Sequence, residues 1–188
     1  MILRKRAGAG VNISARVLGR YPALEKTVDQ SAGQLVVFLD FDGVLHPVGE
    51  PALDEYFQLL PNPNLFCFLP HLTEALAPYP EVQIVVSSDW RRLFDDDTLR
   101  GCLGAMGDRF DGVVETFGGT RAEEIYREVA RRGLMHWLVL DDHPSVVEAS
   151  MTDARFIACD PLLGLSSTKK QAELREKLSQ IFAITGSP

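Results

Sequence analysis

Four carboxylates stand where chemistry can be done. Asp40 and Asp42 follow the apolar run Leu35-Val36-Val37-Phe38-Leu39, and Asp141 and Asp142 follow Trp137-Leu138-Val139-Leu140. A third apolar run, 82–86, ends in Ser87-Ser88-Asp89-Trp90-Arg91-Arg92. Carboxylates drawn together out of water repel one another strongly. A divalent cation makes such a cluster tolerable, and an all-oxygen donor set suits Mg²⁺. Acids can instead cap helices or sit in solvated turns. Asp89 fits a cap, and Asp95 and Asp96 can meet Arg91 and Arg92 one helical turn away. Asp40 and Asp42 do not fit that description, because Gly43-Val44-Leu45-His46-Pro47 reads as a loop.

The elements that must position these residues alternate along the chain. Short, continuous, β-rich apolar runs at 35–39, 82–86, 110–114, 137–140 and 155–158 read as strands buried on both faces. Helical patterns fall between them at 66–77, 90–104, 120–132 and 144–149, with a last one at 168–182. Thr120 with Glu123 forms a capping box, and Gly133 stops that helix. Strand-helix alternation of this kind predicts an α/β fold, a three-layer, doubly wound parallel sheet of Rossmannoid type. In such sheets ligands bind at the carboxyl ends of the strands, where the acids lie.

The chain has 188 residues, 46% hydrophobic and 24% charged, enough for one globular domain and incompatible with global disorder. Net charge is −7. Residues 1–30 are basic, at +4, and the rest carry −11. That balance argues against a stable nucleic-acid complex or an anionic membrane held by bulk charge. No apolar run approaches the roughly 20 residues of a membrane helix. Three cysteines without a CxxC pair read as reduced, and the expected location is cytoplasmic. Four histidines without metal-ligand spacing argue against a zinc site. Residues 1–34 read as a loosely docked or flexible N-terminal extension, and 35–188 as the catalytic domain.

LVVFLDFDGVLH at 35–46 resembles the first motif of the haloacid-dehalogenase (HAD) superfamily. IVVSS at 84–88 resembles its second motif and WLVLDD at 137–142 its fourth, in the right order. Arg121 occupies the place of the third-motif cation, commonly a Lys. SSDWR followed by a capped helix and LDDHP looks like the small HAD domain of Swiss-army-knife RNA-repair proteins, and the Asp141-Asp142 region is also similar to 5′-nucleotidase-type members.

The resemblance implies a Mg²⁺-dependent phosphatase with a small cap or none, acting through an aspartyl-phosphate. Asp40 is then the nucleophile and Asp42 the general acid and base. Asp40, Asp42 (through its carbonyl), Asp141 and Asp142 hold the metal, with Asp142 the better match to the family ligand. Ser87, Ser88 and Arg121 hold the phosphate. His46, Arg91, Arg92 and His143 are candidate substrate contacts, while Trp90 and Trp137 read as core. The implied partner is a phosphorylated substrate, either a small molecule or a nucleic-acid terminus. A catalytically weak HAD-fold binding or regulatory module is the alternative. A receiver-type phospho-acceptor domain does not fit, because there the paired acids come first along the chain.

Overall fold

β1 (Leu35–Leu39) is apolar and buried at all five positions, so it needs neighbours on every side. It lies between β2 (Gln83–Val86) and β4 (His136–Asp141), parallel to both. β3 (Phe110–Val113) and β5 (Phe156–Ala158) complete the sheet in the order β3-β2-β1-β4-β5. Every pairing is parallel. This computed structural model describes residues 34–49, 53–56, 58–116 and 118–185. The expected N-terminal extension, apart from Gln34, lies outside the described residues.

The period-two alternation of each strand divides the core. Leu35, Val37 and Leu39, with Ile84, Val86, Leu138 and Leu140, face one side. There they meet α1 (Leu69–Leu76), α2 (Asp96–Cys102) and α5 (Thr168–Thr185) through Leu72, Leu99 and Leu174. Val36, Phe38, Val85, Val139 and Trp137 face the other side, against Ile125 of α3 (Arg121–Arg132) and Val146 of α4 (Pro144–Ser150). This is a doubly wound α/β architecture, one parallel sheet between two layers of helices. The chain winds outward through β2 and β3, then returns to β4 and β5. The reversal falls between β1 and β4, which makes their carboxyl ends the natural ligand crevice.

Local sequence sets the helix ends. Both hydrogen bonds of the Thr120–Glu123 capping box form, and α3 stops at Gly133 in the left-handed region (φ 65°). Pro70 sits in the first turn of α1, where its missing N–H costs nothing. The helix expected over 90–104 is broken into three pieces. A 3-10 turn spans Asp89–Arg92, α2 follows, and a second 3-10 turn spans Gly104–Arg109. The Ser88 hydroxyl accepts from Trp90 N–H and the Asp95 carboxylate from Thr98 N–H, so each side chain opens a new helical segment. Between β1 and α1 the described residues form turns and one isolated antiparallel bridge, Leu53 to Leu59, with no helix or strand of a cap. No described helix is long and apolar enough to cross a membrane.

Replacing Thr120 by Ala removes one half of the α3 capping box. We expect a loss of about 1 kcal/mol, read in urea unfolding, and a Tm lower by about 2–4 °C. An unchanged midpoint would mean that α3 does not depend on its cap.

Candidate active site

The strand register brings the site together. Leu39 pairs with both Val86 and Leu140, so the next residue of each strand, Asp40, Ser87 and Asp141, falls on one line across the sheet. Asp40 N–H donates to the Leu140 carbonyl and Ser87 N–H to the Leu39 carbonyl, both at 2.9 Å. Asp40, Ser87 and Asp141 are all buried. Ligand oxygens of Asp40, Asp141 and Asp142 lie within 4.8 Å of one another.

Arg121, the first residue of α3, reaches into this cluster. Its Nη1 donates to Asp40 Oδ2 at 3.2 Å and to Asp141 Oδ2 at 2.9 Å. Its Nη2 lies 3.2 Å from Asp89 Oδ1. Asp141 also accepts from Ser87 Oγ (3.3 Å) and His143 N–H (2.9 Å). Asp40 accepts from Phe41 N–H at 2.7 Å and from the Ser88 side chain. These donors do not cancel the cost of burial. Desolvation, then the charge of Asp141, pushes the Asp40 carboxyl up to about 7. Desolvation raises Asp141 as well, against the pull of Arg121. Asp142, half-buried and without an ion pair among the described residues, is pushed up to about 6 by desolvation and by Asp40.

Such a set, three acids with unmet negative charge and hard oxygen donors, fits Mg²⁺. Asp142 has room there because residue 43 is glycine. A Cβ on Gly43 would lie 2.3 Å from Asp142 Oδ2, and its φ of +67° is itself a glycine conformation.

Asp42 has a different environment. Its carboxylate lies outside the three-acid cluster, with Oδ2 accepting from Trp90 Nε1 (2.8 Å) and Oδ1 bonded to His46 Nε2 (3.1 Å). His46 Nδ1 accepts from Phe66 N–H (3.4 Å), which leaves Nε2 as the nitrogen carrying the proton toward Asp42. Phe66 presents that N–H from a left-handed conformation, φ +57°, uncommon for a residue with a side chain. The Asp42 side chain is 31% exposed, so it opens to solvent while both oxygens are held.

Two expected substrate contacts, His46 and Arg91, are turned inward. His46 is fully buried behind Asp42, edge-on to Phe66, and presents no surface. Arg91, with a side chain 2% exposed, is also turned inward. It donates to Glu124 Oε2 at 2.6 Å and to the carbonyls of Val114, Ser88 and Ser87. His143 caps α4, with Nδ1 accepting from Ser145 N–H. Arg92 is half exposed and pairs with Asp89 (3.4 Å), not with Asp95 or Asp96. Sequence reading passed over three contributors. Trp90 is core, yet it also donates to Asp42. Asp89 pairs with Arg121, and Glu124 holds Arg91. The spacing Arg121, Glu124, Glu128 on one face of a helix is the signal that was available, since all three are buried.

A model of the HAD domain in Swiss Army Knife RNA repair proteins matches residues 36–170. No curated protein matches the chain.

The raised carboxyls have a stability consequence. A carboxyl whose folded value lies above its ordinary 3.8 contributes stability that is complete below that value. That stability is lost as pH rises through about 6 for Asp142 and about 7 for Asp40. A cation bound to the ionised acids offsets the loss. At pH 7.5, Mg²⁺ at about 100 times its Kd should stabilise the fold by about 2.7 kcal/mol, or about 5–10 °C in Tm. At pH 5, where protons compete, the shift should shrink. A melting curve at pH 7.5 that ignores Mg²⁺ would remove the metal assignment.

Proposed function

The chain belongs to this family of HAD domains, and on that footing we propose that it is a Mg²⁺-dependent phosphohydrolase that cleaves phosphomonoesters through an aspartyl-phosphate on Asp40. The observation that carries the reading is the division of labour between two carboxylates two residues apart. Asp40 is buried beside Arg121 and the acid pair, and Asp42 is half-open and held by Trp90 and His46.

In the first step a carboxylate oxygen of Asp40 attacks phosphorus and the bond to the leaving oxygen breaks. Asp42 gives that oxygen its proton. In the second step water attacks the phosphoryl group and passes a proton to the Asp42 carboxylate. The bond between phosphorus and Asp40 then breaks, releasing phosphate and restoring both acids. Arg121 steadies the charge on Asp40 in the resting site and on the transferring oxygens during reaction. The hydroxyls of Ser87 and Ser88 are the further candidates to hold those oxygens. Mg²⁺ held by Asp40, Asp141 and Asp142, with the carbonyl of Asp42, would supply positive charge where an anionic nucleophile meets an anionic phosphate. His46 fixes the rotamer of Asp42 from behind, so its role is positioning.

The substrate is a single terminal phosphate, on a small molecule or on the end of a nucleic acid. The family description brings in nucleic-acid ends as one source, and the net charge of −7 speaks against tracking a long polyanion.

Hydrolysis of an aryl phosphate should require Mg²⁺ and fall to background in Asp40→Asn. Asp42→Asn should cost about 10²–10⁴-fold in kcat, the usual contribution of a general acid–base group. Full turnover in chelator, or in Asp40→Asn, would refute the mechanism. Phosphate-analogue binding without turnover would favour the binding-module reading.

A further inference from the structure

A cavity of about 230 Å³ adjoins Asp42, and nothing in the chemistry above uses it. Its walls are apolar, made by Leu53, Leu59, Trp90, Leu93 and Phe94. Asp42 and Asp89 are the polar lining residues. These two acids are also where the cavity meets the carboxylate cluster, because Asp89 pairs with the same Arg121 that holds Asp40.

Each wall is built locally. Trp90 comes from the 3-10 turn after β2, which Ser88 caps, and Leu93 is the residue that ends that turn. Leu53 and Leu59 are brought together by their own bridge. The Asp54 carboxylate closes that turn by accepting from Tyr56 N–H and Gln58 N–H, at 2.9 and 2.8 Å. Trp90 is locked edge-on against Phe41 and Phe66 and donates its indole N–H to Asp42. Its position is therefore tied to that of the acid. Leu93, by contrast, is 62% exposed, a cost in water that an apolar ligand would relieve.

We infer that this cavity is the leaving-group pocket, and that of the two sources named above it selects the small molecule, a phosphomonoester whose leaving oxygen carries a compact, uncharged ring. The inference rests on the proposed phosphohydrolase reading. If Asp42 protonates the leaving oxygen, the group on that oxygen projects to the Asp42 side, where the cavity is. The volume is below the roughly 300–1,000 Å³ of pockets that enclose drug-sized ligands, so it suits one ring system. Hydroxyl-rich leaving groups would lose hydration against leucine and phenylalanine without enough partners in return. The lining holds no cation, and Asp89 is already paired with Arg92 and Arg121, so no wall residue recruits the second phosphate of a nucleoside di- or triphosphate.

The test compares two phosphonates that differ by the ring, benzylphosphonate and ethylphosphonate, by calorimetry on the full chain with Mg²⁺. Benzylphosphonate should bind at least tenfold tighter, in line with what apolar contacts achieve in such pockets. Leu93→Asp, at an exposed position, should reduce that ratio to near one, and Leu53→Asp, in the segment before α1, should do the same. Equal binding of the two phosphonates to the wild type, or a ratio unmoved in both variants, would overturn the pocket assignment. Turnover of phenyl and ethyl phosphate is measured in parallel. Ring-selective binding without turnover would overturn the catalytic reading and keep the pocket. Turnover of both esters without ring selectivity would overturn the pocket and keep the catalytic reading.

Discussion

Two carboxylates, Asp40 and Asp141, are buried side by side at the ends of adjacent strands. Taking two acids out of water together is costly, and much of the surrounding structure can be understood as what makes it bearable. The parallel register of β1 and β4 forces the proximity, and burial denies the pair water. One guanidinium nitrogen of Arg121 is shared between them. A buried ion pair of this kind is weak evidence for stability, since desolvation takes back much of the Coulomb gain. The raised carboxyls of Asp40 and Asp142 say the same: negative charge at this site is not fully met by the protein. A site left short of positive charge is one prepared to receive a cation or to hold a proton.

Arg121 can serve only if α3 starts at one defined place. Three devices fix that start. The capping box at Thr120 and Glu123 defines the first turn. Ser145 Oγ accepts from Ala122 N–H, tying α3 to α4. Arg91 joins the loop after β2 to Glu124, one turn beyond Arg121. Through Arg91 the same contact gathers the Ser87, Ser88 and Val114 carbonyls, so the β2 and β3 ends are registered on the helix that carries the cation. Removing one partner of such a buried pair typically costs about 3–5 kcal/mol. Arg91 thus shapes the site from behind, without touching the crevice.

The elements that sequence reveals well here are those set by local chemistry. Five short apolar strands, the capping box at Thr120 and the stop at Gly133 are written in adjacent residues, and so are the acids at the strand ends. The pairing of β1 with β4 places those acids together, and that strand order is seen only in the structure. Other features depend on long-range packing and could not be read from spacing. His46 and Arg91 are polar residues beside the motifs, and exposure was the ordinary expectation for them. They are buried because Phe66 and Glu124, 20 and 33 residues away, supply the partners they need. The segment at 90–104 has a fair helical pattern, and it breaks because Ser88 and Asp95 each satisfy the N–H groups of a new first turn. Propensity gave way to side-chain capping there.

The same break generates the face beside Asp42. Trp90, inside the 3-10 turn, is buried with its indole N–H on Asp42, while Leu93, the residue that ends the turn, stays at the rim. Asp42 is thereby held at both oxygens, by a buried tryptophan and a buried histidine, yet remains open on one side. Its neighbour two residues back is closed in by strands and by Arg121. Two acids of the same type, separated by one phenylalanine, are thus given a dry environment and a half-open one. In the proposed mechanism it is this difference in environment, more than the presence of the acids, that would suit one to attack on phosphorus and the other to proton transfer.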